Sequence, residues 1–155
     1  MKKLAILTLF IGLLAFSQKS FAHCEIPCGI YGDSVRVTLI AEHIETLEKS
    51  MNQINELSKA GDKNYNQLVR WVVNKEEHAQ KIQGIVSQYF LHQRIKPVSP
   101  TEVEAYAKYT NQLALLHQLL VYSMKAKQST DLEVIENLRT TLEKFSHSYF
   151  HNHTH

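Results

Sequence analysis

From Asp33 onward, apolar residues return every three or four positions: Ile40, Ile44, Leu47, Met51, Ile54 and Leu57. That is the period of one buried face of an α-helix, and Ala60-Gly61 stops the run. A second helix is predicted from Tyr65 to about Leu91, with Leu68, Val69, Val72, Ala79, Ile82, Val86 and Tyr89 on one face and Pro97 and Pro100 ending the stretch. Thr101 with Glu104 has the spacing of a capping box, opening a third helix that carries Val103, Tyr106, Leu113, His117, Leu120 and Met124. Ser129 or Thr130, with Glu133, opens a fourth that carries Leu132, Ile135, Leu138, Leu142, Phe145 and Tyr149. Short connections force neighbouring helices to run in opposite directions. The expected fold is therefore all-α, an antiparallel up-down four-helix bundle over residues 33-150, with no strand alternation or repeat to compete with it.

Ahead of the bundle the pattern changes. Met1, Lys2 and Lys3 are a positive start, and Leu4 to Phe16 is an apolar run shorter than the ~20 residues a membrane span needs. Ser20 and Ala22 then flank Phe21 in the small-x-small arrangement that signal peptidase reads. Residues 1-22 read as a signal peptide removed before His23, in preference to a membrane-anchored N-terminus, and the chain is expected to be exported to the periplasm or beyond. This division changes what the charge means. The formal +2 and the pI near 8.5 include Lys2, Lys3 and Lys19 of the leader, which holds no acidic residue. Without it, fourteen Lys and Arg face fifteen Asp and Glu. A near-neutral mature chain gives no footing for nucleic acid as a partner, nor for a membrane surface.

Between leader and bundle lies His23-Cys24-Glu25-Ile26-Pro27-Cys28-Gly29-Ile30-Tyr31-Gly32, where Gly and Pro cluster and helical spacing is lost. This segment, 23-32, reads as a hook. It contains both cysteines of the chain. In an exported protein the plain reading of such a pair is a small disulfide loop, which would add little stability because the benefit of a cross-link shrinks with loop length. The sharper reading is a metal site. Thiolates of Cys24 and Cys28 would join the His23 imidazole, the α-amine that cleavage exposes on His23, and the Cys24 amide nitrogen. Two nitrogens and two thiolates in a plane favour nickel or copper over tetrahedral zinc.

His-Cys-x-x-Pro-Cys-Gly-x-Tyr at a processed N-terminus, ahead of a four-helix bundle, resembles the nickel superoxide dismutase family over the whole mature chain, 23-155. Lys75-Glu76-Glu77 and Ser87-Gln88-Tyr89-Phe90 resemble that family's second-helix landmarks. The resemblance implies one nickel ion per subunit, cycling between Ni(II) and Ni(III), with superoxide as substrate. It implies in-plane ligation by the His23 amine, the Cys24 amide nitrogen and the sulfurs of Cys24 and Cys28, and axial ligation by the His23 imidazole. Pro27 would turn the chain so that both sulfurs face inward, Gly29 would allow close backbone approach, and Tyr31 would stand over the open axial face. A homohexamer is also implied.

Two positions depart from the family's usual pattern. The glutamate expected two residues after an arginine is Thr38, following Arg36, and the arginine expected after Lys-Glu-x is His78. His78 is the candidate support for His23. His147, His151, His153 and His155 form a His-rich end, with 151-155 as a tail, and such tracts bind divalent metals loosely. His43, His92 and His117 have no motif around them. The competing function is an exported, non-enzymatic nickel or copper carrier using the same hook.

Overall fold

A glycine at positive φ marks the first helix break: Gly61 sits at φ 67°, a conformation that costs side-chain-bearing residues energy, just after α1 (Asp33–Lys59). The structure, a computed structural model, describes residues 32–151 apart from the side chain of Asp62. The leader, the hook residues 23-31 and the tail residues 152-155 lie outside the described residues. After α1 come a 3₁₀ turn (Gly61–Lys63), α2 (Tyr65–Gly84) with a π-helical continuation (Ile85–Arg94), α3 (Val103–Gln128) and α4 (Glu133–Phe150). No strand occurs among the described residues.

Each helix packs on the next, and α4 closes the ring on α1. Cross-links at the two ends fix the directions. The start of α1 is bonded to the ends of α2 and α4 through Asp33, Arg94 and Tyr149. Near the other end of α1, Asn55 donates to the Thr130 carbonyl between α3 and α4 at 3.2 Å. The helices thus form a helical bundle with alternating directions. Its fully buried centre includes Ile40, Ile44, Leu47 and Met51 of α1, Ile82, Val86 and Phe90 of the second helical stretch, Leu116 and Leu119 of α3, and Ile135, Leu138 and Phe145 of α4.

The α1 stripe matches its periodicity, with Leu57 only half-buried at the fraying end. Three details differ from the sequence reading. The second helix does not end near Leu91: it widens at Ile85 and runs to Arg94, with Ile95 N–H bonding back five residues to the Phe90 carbonyl at 2.9 Å. Its early face is also open, leaving Val69 and Tyr65 each 59% exposed and Val72 39%. The third helix is rotated. Its buried stripe is Gln112, Leu115, Leu116, Leu119, Ser123 and Ala126, whereas Val103, His117 and Met124 are exposed and Tyr106, Leu113 and Leu120 half-buried. Two polar members concealed this stripe, yet both are satisfied: Gln112 donates to the Ser148 carbonyl at 3.0 Å and Ser123 to the Leu119 carbonyl at 2.7 Å.

Neither capping box forms. Glu102 occupies the cap of α3 without a side-chain bond, while Ser99 and Thr101 bond to each other, and the Glu133 N–H of α4 is taken by Asp131. Leu132, read as core, is 38% exposed at that junction. At the far end of α3, the buried Lys75 ammonium does the work of a cap. It donates to the carbonyls of Ala126 at 2.6 Å, Lys127 at 2.5 Å and Ser129 at 3.4 Å, satisfying helix-terminal acceptors from a neighbouring helix.

Candidate functional site

Asp33 opens α1 and directly follows the 23-32 segment, so whatever fixes it fixes the base of the hook. Its carboxylate collects donors from two other elements. Oδ1 accepts the Tyr89 hydroxyl at 2.5 Å and Arg94 Nε at 2.9 Å; Oδ2 accepts the Tyr149 hydroxyl at 2.8 Å. Arg94 also donates from Nη2 to the Tyr89 oxygen at 2.9 Å, so the Tyr89 hydroxyl is both donor and acceptor. The Arg94 guanidinium lies 4.7 Å from the Tyr89 ring centre, and that of Arg36 lies 5.3 Å away.

The π-helical widening explains how neighbouring residues serve two purposes. Tyr89 is turned to Asp33 while Phe90, beside it, enters the core against Phe145 (ring centres 4.9 Å apart) and Tyr149 (5.6 Å). An extra residue in a turn shifts the side chains that follow it around the helix axis. Arg94, at the end of the wide turn, then reaches back to the same carboxylate.

Electrostatics follow from this packing. Burial pushes the Asp33 carboxyl up, but the Tyr89 and Tyr149 hydroxyls and the Arg94 guanidinium outweigh it, and the group ionises below its ordinary value. Burial, and then donation to Asp33, push both the Tyr89 and Tyr149 hydroxyls up, so they remain protonated donors.

The second feature joins α1 to α2. His78 Nδ1 lies 3.2 Å from His43 Nδ1, with the rings nearly perpendicular at 4.9 Å. One of the two nitrogens must carry the proton and the other accept it. Burial, His78 and Lys81 lower the His43 value; burial and Lys81 lower that of His78, with Glu77 acting against them.

Of the residues singled out from the sequence, His23, Cys24, Pro27, Cys28, Gly29 and Tyr31 lie outside the described residues, and His78 lies within them. The structure gives His78 a partner that carried no motif, His43. It also adds Asp33, Arg94 and Tyr149, of which Asp33 and Tyr149 had been read only as a helix start and a core position. Among the described residues no group of three or more His, Cys, Asp and Glu is placed to hold a metal ion. Both thiols of the chain belong to the hook. Its donor set, two thiolates with nitrogen donors beside them, fits a late divalent transition metal.

A sequence model of the family described as nickel-containing superoxide dismutase matches residues 18–153, well over half of the chain and including the hook. No curated protein and no solved structure gives a significant match.

Two predictions follow from the geometry. Asp33→Asn keeps the shape and removes the charge, and should cost about 1–3 kcal/mol in urea unfolding. Because the Asp33 carboxyl is held below the ordinary 3.8, its contribution is present above that value and lost as pH falls through the lowered one, so the acid limb of the stability curve should flatten in the variant. An unchanged acid limb would contradict the clamp. For the imidazole pair, both values lie below the ordinary 6.5, so the folded chain binds fewer protons and stability should decline as pH falls from about 6.5 toward the lowered values. His43→Leu should make that decline shallower in unfolding curves at about pH 7 and pH 5. An equally steep decline in the variant would show that the pair does not govern it.

Proposed function

The chain belongs to the nickel-containing superoxide dismutase family and is a nickel-dependent superoxide dismutase, and we propose that its hook, residues 23-32, holds the metal. The observation that carries this reading is the family match across the one segment that contains both cysteines. Bound nickel supplies one-electron chemistry between its +2 and +3 states, and over a full cycle two superoxide ions and two protons become O₂ and H₂O₂.

The chain's own residues supply the setting. In this reading the His23 amine and imidazole, the Cys24 amide nitrogen and the Cys24 and Cys28 sulfurs would hold one nickel per chain. Anionic thiolate and amidate donors favour the higher metal charge, which nitrogen and oxygen donors alone would leave out of reach of superoxide. Ligating thiols must be deprotonated, so nickel should be held less tightly in acid. Pro27 and Gly29 would shape the turn, and the Tyr31 hydroxyl would hold water or substrate beside the metal. His78, with Nδ1 engaged by His43, has Nε2 left to support His23 in place of the family's usual charged pair. The Asp33 clamp gives the hook a fixed base two residues beyond Tyr31.

Maturation completes the site: removal of residues 1-22 by signal peptidase creates the amine ligand, and the same leader directs the chain to the periplasm or beyond. Among the described residues no helix is long and apolar enough to cross a membrane. The homohexamer that the resemblance implies would need an apolar contact surface, and the open face of α2 offers one, where Tyr65, Val69, Val72 and Val73 recur at helical spacing and are exposed.

Superoxide decay in stopped flow tests the site. Nickel-loaded mature protein should consume superoxide, apo-protein should not, and His23→Gln should lose at least about tenfold, the lower end of what even an outer partner of a metal ligand contributes. Full activity in His23→Gln would overturn the ligand assignment. Light scattering tests the assembly: the mature protein should have six times the chain mass, and Val69→Glu with Val73→Glu should reduce it. A monomeric parent would contradict the hexamer.

A further inference from the structure

The last turn of α4 and the residue that caps it carry two imidazoles that the hook chemistry does not use. His147 and His151 are one helical turn apart, both exposed, and their rings are stacked with centres 4.6 Å apart and planes 12° from parallel. They border a groove of about 870 Å³ between α3 and α4, which Glu104, Lys108, Glu143 and Lys144 also line. Two carboxylates and two ammonium groups leave the groove without a strong net charge, so the imidazoles are its selective feature. Neutral imidazole suits nickel, copper and zinc. Metal–nitrogen bonds of about 2.0–2.1 Å place two ligating nitrogens roughly 3 Å apart, which side chains one helical turn apart can supply once the stacked rings turn out of parallel and aim their nitrogens at one point. The position adds to this, because the negative end of the helix dipole favours a cation at the C-terminus.

Location gives the pair a role. Tyr149, between the two histidines in sequence, bonds to Asp33 at the base of the hook. Cys28 is five residues before Asp33, a stretch that spans at most about 18 Å. The histidine pair therefore lies at the end of the bundle to which the hook is joined.

We propose that His147 and His151 form an accessory site for divalent nickel, completed by water, that keeps the metal close to the hook and speeds its loading. Holding a ligand on the same molecule raises its effective concentration at a nearby second site, without new contacts there. The loading role rests on the hook being the nickel centre; the binding of nickel by the two imidazoles does not.

The test uses the whole mature chain with Ni(II) as the probe. In a Cys24→Ser, Cys28→Ser background, which lacks the hook thiolates, calorimetry should detect one Ni(II) per chain. Adding His147→Ala and His151→Ala should weaken that binding at least about tenfold, equivalent to about 1.4 kcal/mol. His153→Ala with His155→Ala should leave most of it. Undiminished binding in the His147, His151 variant, or loss of binding in the His153, His155 variant alone, overturns the site. With the hook intact and one equivalent of nickel, thiolate-to-nickel absorbance should grow several-fold more slowly in the His147→Ala, His151→Ala protein. An equal rate overturns the loading role. Absence of that absorbance in both proteins would count against the hook, while the calorimetric result would stand. Both residues are exposed, so matched helical circular dichroism is expected and verifies that the variants are folded.

Discussion

The carboxylate of Asp33 is where three parts of the molecule meet: the start of α1, the wide turn that ends the second helical stretch, and the last turn of α4. Its donors are 56, 61 and 116 residues away in sequence. Bonds to an ionised group are among the stronger hydrogen bonds, about 1.5–3 kcal/mol each before exposure reduces them. Their consequence here is geometric as well as energetic. A segment attached to a frayed helix end has no defined base; one attached to a helix end held by two hydroxyls and a guanidinium has a fixed one.

The features around the clamp follow from that requirement. The π-helical turn lets Tyr89 face the carboxylate while Phe90 keeps its place among the core aromatics, and it brings Arg94 within reach. Lys75 and the imidazole pair fasten other helix contacts: Lys75 ties α2 to the end of α3, and His43 with His78 ties α1 to α2. Of the two departures from the family's usual pattern, Thr38 and His78, the second is one of these two half-buried imidazoles. Losing both members of a charge pair avoids leaving one buried charge alone, which is the costly outcome.

Helix number, order and most boundaries were legible because apolar spacing is a local property. The core of α1 could be read almost residue by residue, and in α4 so could Ile135, Leu138, Leu142 and Phe145. The third helix was misread because it has apolar residues on more than one side, and tertiary packing selected the stripe containing Gln112 and Ser123, whose polarity is met by bonds invisible in the sequence. The family was legible for a different reason: the residues that carry the resemblance are nearly consecutive. Asp33, Arg94 and His43 were not, since each gains its meaning only from partners far along the chain. A lone aspartate at a helix start or a histidine on a helix face has no distinguishing neighbour in sequence.

In the proposed function, activity depends on a free amine at His23 that cleavage would supply. The direct measurement is superoxide decay catalysed by two nickel-loaded proteins, one beginning at His23 and one carrying a single extra residue before it. The account predicts rapid decay for the first and near-background decay for the second, with its bundle equally stable. Equal activity in the two would contradict it.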